Sequence, residues 1–367
     1  MKLFTCQTCG NAVYFDNTQC VKCKSALGYL PQRFVLSALE TADGAWKAKA
    51  EPNKRFRACA NAGPVACNWV IDEDDPNPFC LACRHNRTVP DASFESNVAN
   101  WRKLEAAKRH LFYSLTRWGL PIPVRPEDPA GLAFDFLSGA GVGGDGERVM
   151  TGHDNGLITI DIAEADDAER EKRRTAMNEP YRTMLGHFRH EIGHFYWDRL
   201  VRDDPRRLEE FRNLFGDERA DYGQALQRHY RDGAPPDWPT RFISAYASTH
   251  PWEDFAESWA HHMHMVDTLE TAHAFGISVS PREGDTGLHA HVDFDPYREK
   301  AFAPVVPDFV ALIVAVNSLN RSLGLNDIYP FVFTRDVIDK LAFIHDLVNV
   351  SRKTSAPAAR VAEPALN

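Results

Sequence analysis

All eight cysteines of this chain lie within its first 83 residues, and that clustering constrains the fold more than any other feature. Cys6, Cys9, Cys20 and Cys23 form a C-x2-C-x10-C-x2-C pattern around "GNAVYFDNTQ". Each C-x2-C pair makes a tight turn whose sulfurs converge, and two such turns supply the tetrahedron that Zn²⁺ accepts. The segment between them reads as strand and turn, which suits a zinc ribbon. Cys59, Cys67, Cys80 and Cys83 open on a less regular C-x7-C and close on a C-x2-C. So short and polar a segment cannot bury a sufficient core, and bound metal is expected to supply its folding free energy. Both sets are complete, with no open coordination position, which predicts two structural zinc ions. His85, just beyond Cys83, is an alternative ligand by position and is expected on the surface.

Clustered cysteines in a cytosolic chain point to metal more than to disulfides. The opening "MKLFTCQTCGNAVYF" has no apolar region and no small-residue cleavage site, which predicts an unprocessed, cytoplasmic protein. No stretch approaches ~18 consecutive apolar residues, so no membrane span is expected. The net charge is −9, yet residues 1–90 hold 11 Lys/Arg against 8 Asp/Glu. A basic excess that small is a poor footprint for nucleic acid. Two zinc-bound four-cysteine sites, each near −2, would cancel it. The expected partner is instead a peptide or protein.

With 367 residues, 44% of them hydrophobic, the chain has enough length for a sizeable core plus appended modules. The reading divides it into a ribbon over residues 1–30, a linker and second cysteine module over 31–93, a main domain over 94–350 and a disordered tail over 351–367. Residues 24–58 read as short strands and a polar linker. Over 94–118, Val98, Trp101, Leu104, Leu111 and Leu115 recur at helical spacing, which predicts an amphipathic helix joining the ribbons to the main domain. "LSGAGVGGDGE" lacks the Gly-Lys-Ser/Thr ending of a phosphate loop and reads as a flexible loop. "HDNGLITIDI" predicts a turn and then a strand over 157–162. Residues 308–349 read as two helices.

The chemistry centres on "HFRHEIGHFYWD", residues 187–198. On a helix, His190 and His194 stand at i and i+4 and project from one face, so both can reach one cation. The flanks support that helix: Asn178 can cap it, Pro180 suits its first turn, and it should stop before "RDDP". Glu191 is turned about one hundred degrees from His190, which sets its carboxylate beside a bound metal and not on it. There it can take a proton from water. A third ligand is needed, and "HPWEDFAESWAHHMHMV" offers one. His250-Pro251 reads as a helix start, and Glu253, Glu257 and His261 fall on one stripe. The arrangement is that of a catalytic zinc set of two histidines and one glutamate, with water in the fourth position. His261, His262 and His264 form another histidine cluster, but on a helix they do not share a face.

These motifs resemble the gluzincin metallopeptidases. More narrowly, "RTMLGHFRHEIGHFYWDRLV", "HPWEDFAESWAHHMH" and the front cysteine set are similar to bacterial zinc-binding metallopeptidases that carry an N-terminal zinc ribbon. The resemblance implies an α+β fold, a zincin-like domain behind a cysteine-rich zinc-ribbon region with two four-cysteine sites. In gluzincins of this kind a Tyr stands seven residues before the ligand Glu and a second Glu four residues after it. Carried onto this chain, that implies His190, His194 and Glu253 as ligands of one catalytic zinc, in preference to Glu257 or Asp254. It implies Glu191 as general base, Tyr246 as the phenol that donates to the oxyanion, and Glu257 as the residue that holds a ligand histidine. The expected function is zinc-dependent peptide hydrolysis, with "LITIDI" as the rim strand that pairs with an extended peptide. Two alternatives are a non-catalytic zinc-ribbon scaffold and a zincin acting on DNA-bound protein.

Overall fold

The computed structural model describes residues 2–138, 149–177, 179–283 and 287–354. The described residues divide into two compact units, one up to Arg170 and the other Glu171–Thr354. The glycine-rich residues 139–148, Asn178 and residues 355–367 lie outside the described residues.

The first unit opens with a hairpin of β1 (Phe4–Thr5) and β2 (Ala12–Val13), whose turn carries Cys6 and Cys9. A five-stranded antiparallel meander follows: β3 (Ala26–Leu30), β4 (Val35–Ala42), β5 (Ala45–Ala48), β6 (Glu51–Ala58) and β7 (Val70–Asp72). The stretch expected as a polar linker is therefore sheet. Its Lys, Glu and Asn residues point outward, while Leu30, Leu39, Ala48, Phe56 and Val70 close a small core on the other side. Phe15 meets Tyr29 at 4.8 Å and Tyr113 at 5.4 Å, and Tyr29 meets Trp69 at 4.9 Å. That aromatic cluster welds the ribbon, the sheet and a long helix into one body.

The helix is α1 (Glu95–Trp118), which begins one residue later than expected. It connects the parallel strands β8 (Asn86–Thr88) and β9 (Ala133–Leu137), the crossover that parallel pairing requires. It thus packs within the first unit as the crossover of that unit's parallel strands. β10 (Gly152–Asp154) and β11 (Leu157–Asp161) complete a sheet of order β10-β11-β9-β8. They are joined by Asn155-Gly156, both at positive φ (44° and 83°), as a two-residue hairpin demands. His153 Nε2 accepts from the Gly156 N–H at 2.9 Å, a structural role within the turn. The strand read from "LITIDI" is present, but it cannot be a rim. β11 is paired on both sides, with β10 and with β9, so its backbone offers nothing to a peptide.

Helix α2 (Asp167–Ala176) carries the chain into the second unit. There α3 (Met184–Leu200), α4 (Pro205–Phe215) and α5 (Tyr222–Asp232) precede the long α6 (Pro251–Phe275). A short ribbon of β12 (Ser278–Val279) and β13 (Ala290–His291) leads to α7 (Val305–Ser322) and α8 (Arg335–Thr354). Residues 351–354, expected in the tail, thus continue α8. Met265 and Leu269 of α6, Phe309 and Leu312 of α7, and Val337 and Leu341 of α8 share one core. No helix among the described residues is long and apolar enough to cross a membrane.

Candidate metal centre

Helix α3 starts later than the sequence suggests. Thr183, extended at φ −134°, ψ 153°, accepts the Gly186 N–H at 2.9 Å and caps it, so Pro180 falls outside the first turn. Helix α6 is capped by His250. Its Nδ1 accepts the Trp252 N–H at 3.1 Å, which leaves Nε2 to donate to Ala220 O at 3.0 Å and fixes the neutral tautomer.

The two helices cross tightly at Gly193. A Cβ there would lie 2.9 Å from Ala256 Cα and 3.1 Å from Trp259 Cβ, closer than atoms of a packed core tolerate. The middle glycine of "HEIGH" therefore permits the approach that carries Glu253 to the histidines. Replacing it (Gly193→Ala) should force the helices apart and cost about 1–3 kcal/mol of stability, read as a lower melting temperature of the full chain. An unchanged melting temperature would show that α3 and α6 separate freely.

At the crossing, His190 Nε2 and His194 Nε2 are 3.2 Å apart. Glu253 Oε2 lies 2.9 Å from the first and 3.5 Å from the second. Zinc bonds of about 2.1 Å to nitrogen and oxygen place tetrahedral ligands about 3.4 Å apart, so these three atoms fit around one ion. Charge agrees with distance. Glu253 is 1% and Glu191 7% exposed, and the ion-pair partners of Glu253 and Glu257 are imidazoles. Burial alone would lower the His190 pKa, yet Glu253 and Glu257 hold it well above the ordinary value. The cluster demands a positive charge, which a proton or a metal ion can provide. Burial would raise the Glu253 carboxyl, and the charges of His194 and His190 outweigh it and hold it well below the usual range. For Glu191 burial prevails and raises the carboxyl above its ordinary value, against the pull of His190 and His194.

Around these atoms stands a supporting set. Glu257 Oε1 is 2.8 Å from His190 Nδ1, and its other oxygen accepts from Ser244 Oγ at 2.6 Å. Such a carboxylate fixes the ring and its tautomer. The Trp252 indole packs against His194 with ring centres 3.8 Å apart and planes tilted by 36°. Tyr222 Oη donates to Glu253 Oε1 at 2.6 Å. Burial and the neighbouring Glu253 charge push the Tyr222 phenol far above its ordinary pKa, so it stays a donor. The Tyr246 ring sits 5.9 Å from that of His190, and its phenol is likewise pushed well up by burial and by Glu253. The sequence reading missed Ser244, Trp252 and Tyr222. No spacing rule points to them, since they arrive from the preceding loop, the first turn of α6 and the separate helix α5.

Other residues of α6 go elsewhere. Asp254 pairs with Lys340 of α8 at 2.6 Å, both buried. His261 Nδ1 meets the Tyr329 hydroxyl at 2.5 Å, and His262 Nε2 meets His345 Nδ1 at 3.1 Å. His264 Nδ1 takes the Arg189 guanidinium at 2.6 Å. The three histidines of "HHMH" thus point to three separate partners and form no common site. Arg189 also pairs with Asp267, whose second oxygen accepts from the Tyr297 hydroxyl, a second clamp between α3 and α6.

Both cysteine sets converge in the first unit. Cys6 and Cys23 sulfurs are 3.6 Å apart, and those of Cys9 and Cys20 3.7 Å. In the second set Cys67 lies 3.7 Å from Cys80 and 3.8 Å from Cys83, and the Cys80 N–H points at Cys59 Sγ at 3.3 Å. Zn–S bonds of about 2.3 Å set sulfurs about 3.8 Å apart, and all eight thiols are free of disulfides. Hydrogen bonds with Ser25 draw the Cys23 thiol down to about 6. His85, expected on the surface, is buried. It packs against Phe112 and bonds Leu132 O through Nδ1 at 2.9 Å, so it is a core residue and no substitute ligand.

Comparison with known proteins bears on the whole chain. A family model described as "Putative zinc-binding metallo-peptidase" matches residues 97–347, and a zinc-ribbon domain model matches residues 3–94. Relatives from Mycobacterium bovis and Mycobacterium tuberculosis, each named as an uncharacterized protein, are 40% identical over 359 residues. That alignment covers 98% of this chain and 98% of theirs. No solved structure matches significantly. With more than half of its length matched, and a zinc-ribbon domain ahead of the match, the chain belongs to this zinc-binding metallo-peptidase family.

Proposed function

We propose that the protein is a gluzincin-type peptidase with one catalytic zinc held by His190, His194 and Glu253, beside two structural zincs in the four-cysteine sets. The observation that carries this reading is the meeting of three donor atoms at 2.9–3.5 Å, next to a buried carboxylate that the histidines attract. When bound there, zinc would polarise the scissile carbonyl and lower the pKa of water into the neutral range. Glu191 takes the proton from the attacking water and returns it to the leaving amine. Its burial, by raising the carboxyl, suits a group that must both accept and release a proton near neutral pH. Tyr246 donates its phenolic hydrogen to the oxygen that gains negative charge. Glu257, backed by Ser244, keeps His190 in the tautomer that presents Nε2.

The supporting experiment joins stoichiometry to turnover. The purified protein should hold close to three zinc ions and hydrolyse an unstructured protein such as casein. His194→Ala should lose one zinc and the activity together while both cysteine-bound zincs remain. Full hydrolysis by a protein that has lost the third zinc would refute the reading.

A further inference from the structure

A carboxylate can grip a metal through one oxygen or through both, and the choice decides whether a position stays open for water. In this site the two oxygens of Glu253 face different neighbours. Oε2 points at His190 and His194, whereas Oε1 accepts a 2.6 Å hydrogen bond from Tyr222. Tyr222 is the first residue of α5, whose start is fixed by Asp221 capping the Gln224 N–H. Its ring packs edge-on against Trp252 and His250 at 5.9 and 5.4 Å. The same Trp252 packs against the face of His194 at a 36° tilt, and His250 sets the first turn of α6 that carries Glu253. The phenol is thus steered by the residues that also steer two of the three donors.

We infer that Tyr222 is a positioning residue that holds Glu253 to one-oxygen coordination and so preserves the open corner of the zinc. Its phenol occupies Oε1 with a short, charge-assisted hydrogen bond, which must break before that oxygen can turn to the metal. Each donor then has its own keeper: Glu257 for His190, Trp252 for His194, Tyr222 for Glu253. Tyr246 remains the group that meets the substrate. The inference rests on the zinc site proposed above.

The test uses Tyr222→Phe, which keeps the ring and its edge contacts and removes only the hydroxyl. The third zinc is withdrawn with a chelator that leaves the four-cysteine sites loaded, and one equivalent of Co²⁺ is added. Wild type should show the intense visible bands of a four-coordinate ion. In the variant those bands should weaken severalfold as Glu253 adds its second oxygen. kcat should fall by about 10–100-fold with KM little changed. Cobalt bands and kcat that match wild type would overturn the inference and leave the peptidase reading intact. A wild-type centre that takes up no cobalt would overturn both.

Discussion

Glu191→Gln should abolish most hydrolysis while leaving the metal in place. The amide matches the carboxylate in size and cannot accept a proton, and Glu191 is not among the atoms that meet at the candidate site. Loss of general base catalysis lowers kcat by about 10²–10⁴-fold, equivalent to about 3–5 kcal/mol of transition-state stabilisation. KM and zinc content should stay close to wild type, because the side chain neither binds the ion nor fixes a ligand. Paired measurements of kcat and zinc per chain decide the matter. Hydrolysis at the wild-type rate would remove Glu191 from its role, and zinc lost in parallel with activity would show instead that the residue maintains the site.

An effect as large, but on folding, is expected from Cys80→Ser. Cys80 is 1% exposed, and its backbone N–H is directed at Cys59 Sγ. Cys83 Sγ lies 3.7 Å from Glu105 Oε2, and Glu105 forms an ion pair with Lys108 at 2.8 Å in which both side chains are wholly buried. Asn86 and Trp101 donate to the same carboxylate. The cysteine set is therefore the floor of a buried polar network under α1, and that network is costly if it opens. Structural zinc contributes about 10–16 kcal/mol, against a net stability of about 5–15 kcal/mol for a typical domain. The variant should lose one zinc and the protection of residues 51–118 from proteolysis. One zinc fewer with unchanged protection would mean that the strands and α1 hold this segment without metal.

What could be read from the chain was chemistry written at short range. Cys6 and Cys9, Cys20 and Cys23, Cys80 and Cys83, and His190 and His194 are each separated by two or three residues, so a single turn brings their donors together. Glu253 and Glu257 were found because both sit on one helix with a fixed pitch. The errors share a cause. In residues 40–57 the outward side chains are charged, so a strand with one wet face looked like linker. The strand at Leu157–Asp161 was recognised by its branched residues, but beside its hairpin neighbour β10 it also pairs with β9, some twenty residues earlier, and that second partner makes it interior. Pro180 drew the start of α3 too early, and Thr183 holds the capping position. Tyr222 was invisible because nothing local ties it to a carboxylate 31 positions away.

Helix α6 works as a ruler. Its graduations are Glu253 for His190 and His194, Asp254 for Lys340, Glu257 for His190, His261 for Tyr329 and Asp267 for Arg189. Because one rigid rod bears them all, adding or deleting one residue between Glu253 and Asp267 would turn half of them by about one hundred degrees and set every later mark against the wrong neighbour. A change of length here would disturb the donor set and the packing behind it together, whereas the exchange of one side chain leaves the spacing of all the others intact.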